Sequence, residues 1–172
     1  MWEAIAAEAA AESSLWAEAL VRRDGSAVAA PVFSDLTSPR LALGVETIYE
    51  GYLAHYGRSR LFAPVDDDVA LLLGDYLYAH GLVRVAETGD VAAVSDLAEL
   101  ISLCAQLRAD GRPGDGAAWA GTCALLGAGR LEPARDALRL TGDPGPLADA
   151  ARDVAGPERV EQALAAHATL VG

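Results

Sequence analysis

Lysine is missing altogether from this sequence of 172 residues, so all 13 basic residues are arginines. Against 25 acidic residues they leave a formal net charge of −12 at pH 7. A protein that binds nucleic acid presents a cationic face to the phosphate backbone. The arginines are not clustered densely enough to form such a face. The composition therefore argues against nucleic acid as a partner.

Cysteine and long apolar runs are also scarce. Cys104 and Cys123 are the only cysteines, and they match no metal-binding or redox spacing. We interpret them as buried apolar residues in a reducing compartment. The start of the chain is acidic and lacks the features of a secretory signal. No apolar run approaches the roughly 20 residues of a membrane span, so we predict a cytoplasmic protein with no transmembrane segment.

Aromatic residues make up only 6% of the chain, while alanine and leucine dominate. That mixture favours helix over sheet, and we predict an all-α bundle in a single domain, residues 1–172. Its core would be residues 39–110, followed by shorter carboxy-terminal helices in 117–172. The eight expected helices are about 2–23, 39–56, 66–86, 91–109, 117–127, 131–140, 145–154 and 157–170.

Local sequence marks several helix ends. Ser38 is a predicted cap with Pro39 in the first turn behind it, and Gly57 is the predicted stop of that helix. Asp24–Gly25 would stop the first helix, and "DGRPGDG" at 110–116 is the strongest break. Asp66, Asp67 and Asp68 begin the helix 66–86, where carboxylates cap the amides and complement the dipole. This role explains the three aspartates better than a metal cluster does.

The helix 66–86 is apolar nearly all round, which is typical of a helix surrounded by other helices. Gly74 and Gly81 are seven positions apart, so they share a face that would let a neighbouring helix approach closely. Asp75 would then be buried, and an unpaired buried carboxylate costs several kcal/mol. We predict that Asp75 is a structural polar anchor that bonds to a neighbouring helix; the alternative is a helix-interior aspartate at a partly exposed position.

Two segments carry a resemblance to a known family. A basic segment, "HYGRSRLF" at 55–62, precedes the apolar helix containing "VALLLGDYLYAHGL". This order resembles the polyprenyl diphosphate synthase superfamily, the all-helical isoprenoid synthases. The resemblance covers roughly residues 41–105, well under half the chain. It implies the isoprenoid synthase fold in a truncated form.

Catalytic members of that superfamily bind magnesium through two facing aspartate-rich clusters, which neutralise the diphosphate leaving group. The first cluster would fall on "ETIYE", where only Glu46 and Glu50 keep a carboxylate. Nothing after residue 110 resembles the second cluster, and His55 and Tyr56 stand where two arginines are expected. The chain is therefore similar to a degenerate member. It looks closest to non-catalytic small subunits such as component one of heteromeric heptaprenyl diphosphate synthases, which share a Gly-Asp-Tyr helix.

The resemblance also implies candidate site residues. Arg58 and Arg60 could contact a diphosphate, although surface arginines near a glycine turn are common. Glu46 and Glu50 could hold a weakly bound magnesium ion, or they could form a solvated helix face. The implied cofactor is therefore none, or weakly held Mg²⁺. The candidates for lining an interior cavity, or equally for core packing, are Tyr76, Tyr78, His80 and Leu82.

Three functions follow from these observations. The first is a non-catalytic or regulatory small subunit that pairs with a catalytic prenyl synthase, with a homodimer as a further possibility. The second is a minimal magnesium-dependent prenyl diphosphate enzyme that uses Glu46, Glu50 and Asp75. The third is a homo-oligomeric helical protein that keeps the fold without prenyl chemistry. The first is the favoured prediction, because the aspartate clusters are degenerate.

Overall fold

The computed structural model describes residues 1–21 and 30–171, and this part of the chain is all-α, as predicted. Strands are absent from these residues apart from one isolated bridge, between Leu20 and Phe62. A short 3-10 turn at Ser34–Leu36 precedes the helix Pro39–Tyr56, and a π-helical turn at Ala137–Thr141 follows the helix Glu132–Asp136. The helices are α1 Trp2–Glu12, α2 Ser14–Glu18, α3 Pro39–Tyr56, α4 Asp67–Ala86, α5 Val91–Ala109, α6 Asp115–Ala124, α7 Glu132–Asp136, α8 Gly145–Ala155 and α9 Pro157–Val171.

Most predicted helix starts and stops are confirmed. Asp66 caps α4 by accepting a hydrogen bond from the Val69 amide at 2.8 Å, and Gly57 ends α3. Ser38 stands at the predicted cap position but makes no side-chain cap bond. The single first helix over 2–23 was wrong, because Ser13 is extended and separates α1 from α2. The predicted stop at 24–25 lies outside the described residues.

Helix α3, not α4, occupies the centre of the molecule. Every residue of α3 from Gly44 to Leu53 is buried. The prediction that α4 would be surrounded by other helices was wrong, because Leu71, Leu72 and Val83 are all exposed to solvent. Helix α4 buries only one part of its surface, although its composition is apolar nearly all round.

Helices α3 and α4 pack with their backbones in contact. A Cβ atom at Gly51 would lie 2.8 Å from the Gly74 carbonyl oxygen, and one at Gly81 would lie 2.9 Å from the Gly44 carbonyl oxygen. Real Cβ atoms essentially never come closer than 3.0 Å to such neighbours. The close approach predicted from the spacing of Gly74 and Gly81 is thus confirmed, and it brings α3 and α4 together in an antiparallel pair.

The apolar interior divides into two clusters. The main core joins α3, α5, α6, α8 and α9, with Trp119 stacked on Phe33 at 5.6 Å between ring centroids. A smaller cluster places Ile5 and Ala9 of α1 against Leu73 and Leu77 of α4. Helix α4 therefore lies between α3 on one side and the amino-terminal helices on another.

Helix α4 alone, among the described residues, is long and apolar enough to cross a bilayer by length and composition. Core helices of soluble proteins meet the same criterion, so a single such helix is weak evidence. The described part of the chain therefore has no clear transmembrane segment.

Candidate functional site

A histidine on α3 explains the Gly74–Asp75 pair of α4. A Cβ atom at Gly74 would lie 2.4 Å from His55 Nε2, so glycine is needed to leave room for the imidazole ring. The same Nε2 lies 3.3 Å from Asp75 Oδ1. The ring of Tyr78 packs against the imidazole, with 5.1 Å between centroids. Gly74 thus leaves room for the His55 ring, and Asp75 contacts its Nε2 atom.

Asp75 itself is not buried. Its side chain is 67% exposed, whereas the His55 side chain is 9% exposed. The expectation of a buried carboxylate was wrong because it assumed that α4 was central. Asp75 still contacts the neighbouring helix, through the His55 ring. In this pair the histidine is the buried titratable group and the aspartate is the surface group.

Because of His55, the protein is expected to become less stable as the pH decreases. Burial lowers the pKa of His55, and the nearby Asp75 carboxylate only partly opposes this effect. The unfolded chain takes up the proton near pH 6.5, while the folded chain takes it up only at lower pH. The contribution of neutral His55 to the free energy of unfolding is therefore fully present above about pH 6.5, and it is lost as the pH falls toward the pKa of His55 in the folded chain. Urea unfolding at about pH 7.5 and about pH 5.5 measures the loss.

Two variants isolate this effect from the other histidines. His55→Gln cannot take up the proton, so its free energy of unfolding should fall less between the two pH values than that of the wild type. Asp75→Asn removes the carboxylate that favours the imidazolium, so its free energy should fall more. Equal losses in the wild type and in His55→Gln would contradict the prediction.

Glu46 and Glu50 are completely buried and share one arginine. Arg60 Nη2 donates to Glu46 Oε2, and Arg60 Nε donates to Glu50 Oε1, each at 2.6 Å. The two glutamates are one helical turn apart on α3, so they present their carboxylates to the same side. The Arg60 side chain is only 8% exposed. We call Glu46, Arg60 and Glu50 the Glu–Arg–Glu triad.

Other polar groups satisfy the remaining carboxylate oxygens of the triad. Glu46 Oε1 accepts hydrogen bonds from the backbone amides of Val32 and Ser34, at 3.0 and 3.1 Å. Glu50 Oε2 accepts from the Ser59 hydroxyl at 2.5 Å and from the backbone amide of the triad arginine at 3.1 Å. Each of the four oxygens therefore has a partner, which is what buried charges require.

The triad as folded does not fit the magnesium site that the resemblance implies. Mg²⁺ binds oxygen ligands in near-octahedral geometry and usually keeps several waters, but these oxygens already accept hydrogen bonds in a closed interior. Arg60 is equally unsuited to a diphosphate, because Trp2 covers its guanidinium, with 4.6 Å from Cζ to the ring centroid. The structure thus pairs Glu46, Glu50 and Arg60 with one another instead of with a ligand.

Arg58 lies in a different environment from Arg60. It is exposed just beyond the end of α3, where its backbone amide donates to the Leu170 carbonyl at 2.8 Å. It lines two adjoining clefts of about 570 and about 410 Å³. Asp67 lines both clefts as well, and a carboxylate there would repel a diphosphate. Arg58 is therefore solvent-accessible but stands beside a group of the wrong charge.

The four residues predicted to line an interior lie on two sides of α4. Tyr76 and His80 face the amino-terminal helices, and Tyr76 stacks on Trp16 with 4.1 Å between ring centroids. Tyr78 and Leu82 pack against the main core. The four side chains therefore do not share one interior surface. They act here as packing residues for two different neighbours.

A buried polar cluster joins parts of the chain that the sequence analysis did not connect. The Tyr49 hydroxyl on α3 lies 2.9 Å from His167 Nδ1 on α9. The neighbouring Tyr52 hydroxyl donates to Asp115 at the start of α6, and Asp115 also pairs with Arg108 of α5. Tyr49 and His167 are 118 positions apart in the chain. No local pattern signals such a pairing.

The titration of this cluster suits a structural role. Burial raises the pKa of both Tyr49 and Tyr52, so both hydroxyls stay neutral and can donate. Burial also opposes ionisation of Asp115, but His167, the Tyr52 hydroxyl and the Arg108 charge outweigh it and lower the pKa of Asp115 well below its usual range. The cluster therefore holds α3, α5, α6 and α9 together through matched charges and hydrogen bonds.

Neither a metal cluster nor a known relative adds to this picture. In residues 1–21 and 30–171, no group of three or more histidine, cysteine, aspartate or glutamate side chains is arranged to hold a metal ion. Comparisons of the chain with protein-family models, curated proteins and solved structures find no match.

Proposed function

We propose that the chain is a non-catalytic subunit that pairs with a catalytic polyprenyl diphosphate synthase in isoprenoid biosynthesis. The observation that carries this proposal is the outward face of α4, which we define as Leu71, Leu72, Asp75, Ala79 and Val83. All five residues are exposed, and four of them are apolar. Exposed apolar patches of this kind mark partner sites on proteins.

The Glu–Arg–Glu triad supports the non-catalytic part of the proposal. In a catalytic member, the carboxylates at the positions of Glu46 and Glu50 would bind the metal ions. Here Arg60 forms an ion pair with each of them inside the protein. The acidic pair therefore contributes to the stability of α3 and of the segments packed on it, and it presents no free oxygen to a substrate.

The identity of the partner comes from the resemblance. The segment "LLLGDYLYAHGL" is the part of the chain that looks most like the non-catalytic small subunits, and it forms most of α4. The segment most similar to those subunits thus also carries the outward face. We place the proposed subunit in the cytoplasm, in line with two cysteines that are free and buried.

Mixing the chain with a catalytic polyprenyl diphosphate synthase from the same organism tests this function. We expect a complex whose mass is that of both chains together, measured by light scattering after gel filtration. We also expect a change in prenyl product length, measured by chromatography of the products. Val83→Asp should weaken the complex, because it places a charge on the outward face, whereas Val154→Asp on α8 should not.

Two outcomes would reject the function. One is the absence of any complex together with unchanged product length and activity. The other is a stable assembly of the chain with itself that excludes the synthase, which would favour a homo-oligomeric protein. The control is closely matched, because Val83 and Val154 are 54% and 53% exposed.

A further inference from the structure

Helix α4 carries a stripe with the spacing of a coiled-coil seam, and this stripe overlaps the outward face at Leu72, Ala79 and Val83. Leu72, Tyr76, Ala79, Val83 and Ala86 follow one another at alternating intervals of four and three residues. This alternation keeps apolar side chains in line along one side of a helix, where they can pack against a second helix in a coiled coil. Four of the five are exposed, and the fifth, Tyr76, is half-buried. The stripe is therefore largely open to a partner helix.

Carboxylates flank the stripe on one side. Asp68 and Asp75 are both exposed and are seven positions apart, so they lie in one row beside it. The basic residue of α4, Arg84, is turned away from this row, because its side chain is 10% exposed and pairs with Glu8 of α1. His80 also contacts Glu8, at 2.6 Å. The row of carboxylates thus has no arginine of its own helix facing it, and its basic neighbour across the helix pair is the His55 ring of α3, 3.3 Å from Asp75.

We propose that the outward face of α4 docks an amphipathic helix of a partner protein whose apolar seam is flanked by lysine or arginine at seven-residue intervals. The inference rests on the proposed function for the identity of the partner, and it adds the chemistry of recognition. Cationic side chains at flanking positions would meet Asp68 and Asp75, while apolar side chains would cover Leu72 and Val83.

Charge selects a partner over a second copy of the chain. A copy docked through the same face would bring its own aspartates toward the same stripe, and each chain carries a net charge of −12. Like charges placed together in an interface oppose association. A basic helix gains attraction at the same positions. The amino-terminal helices do not compete for the whole face, because Trp16 stacks on Tyr76 while Leu72, Ala79 and Val83 remain exposed.

Synthetic helices test the proposal without the natural partner. One peptide has three heptads with leucine at the seam and lysine at the flanking positions, and a matched peptide has glutamate in place of lysine. Isothermal titration of the full chain should give a Kd at least about tenfold lower for the lysine peptide. Light scattering should show a complex of one chain with one peptide.

Three variants assign the binding to this face. Val83→Asp should raise the Kd of the lysine peptide about tenfold or more, whereas Val154→Asp should leave it unchanged. Asp75→Arg should reverse the preference toward the glutamate peptide. Thermal unfolding of each variant establishes that it is folded before its titration is compared with that of the wild type.

Each outcome bears on either the inference or the function. Equal affinity for the two peptides, or an equal loss in Val83→Asp and Val154→Asp, would overturn the inference. A dimer of the free chain that Val83→Asp dissociates would also overturn it, since a second copy would then be the occupant. Selective peptide binding without a synthase complex would retain the inference and reject the proposed function.

Discussion

Replacing Arg60 by methionine is expected to lower the free energy of unfolding by about 3–5 kcal/mol. The reason is that Glu46 and Glu50 are completely buried and share this guanidinium at 2.6 Å. Methionine keeps an unbranched apolar side chain but has no charge, so two carboxylates would be left in the interior without their cation. Urea unfolding followed by circular dichroism at about pH 7 measures the change.

The loss should depend on the buried charges and not on the arginine side chain as such. Removing both charges in the same protein, with Glu46→Gln and Glu50→Gln added to Arg60→Met, should recover most of the stability, because amides cost less to bury than carboxylates. Arg58→Met is the matched control, two positions away and exposed, and should change stability little. If Arg60→Met behaves like Arg58→Met, the triad does not contribute as described.

Gly81→Val is expected to destabilise the protein by about 3 kcal/mol, the upper end of the range for overpacked interiors. A Cβ atom at this position would lie 2.5 Å from Ile48 Cγ1 and 2.9 Å from the Gly44 carbonyl oxygen. Since a carbonyl oxygen of a central helix cannot rotate away, α3 and α4 would have to separate. The measurement is the midpoint of urea unfolding and the free energy derived from it.

Ala79→Val is the matched control on the same helix. Ala79 is exposed, so its larger replacement has room, and the β-branched side chain costs only a few tenths of a kcal/mol in helix propensity. A Gly81→Val variant as stable as Ala79→Val would show that the backbones of α3 and α4 are not in contact at Gly81 and Gly44.

Local sequence was sufficient to predict most helix ends. Asp66 and Asp90 cap α4 and α5 through their own side chains, and the bonds they make reach only three residues ahead. Gly57 ends α3 for an equally local reason. The break at Ser13 was missed because the alanine-rich sequence on both sides of it has high helix propensity, and its extended backbone is compatible with a serine that caps the next helix.

The burial of α4 could not be predicted from its composition. A helix that is apolar all round is consistent with a central position, but it is also consistent with a surface helix that keeps one apolar face uncovered. The number of neighbours around α4 depends on where the rest of the chain packs. The same misjudgement led to a buried Asp75, whereas His55 is the group that α3 and α4 enclose.

Composition and local pattern by themselves determined the all-α class, most helix boundaries and the close contact made possible by Gly74 and Gly81, because these depend on interactions within a few residues or on the missing side chain of glycine. Only the tertiary structure decided that Arg60 pairs with both Glu46 and Glu50, and that the Tyr49 hydroxyl contacts His167. These pairings join residues 10 to 118 positions apart. Charged side chains take whichever partners the packed helices bring within hydrogen-bonding distance, and that choice depends on the whole chain.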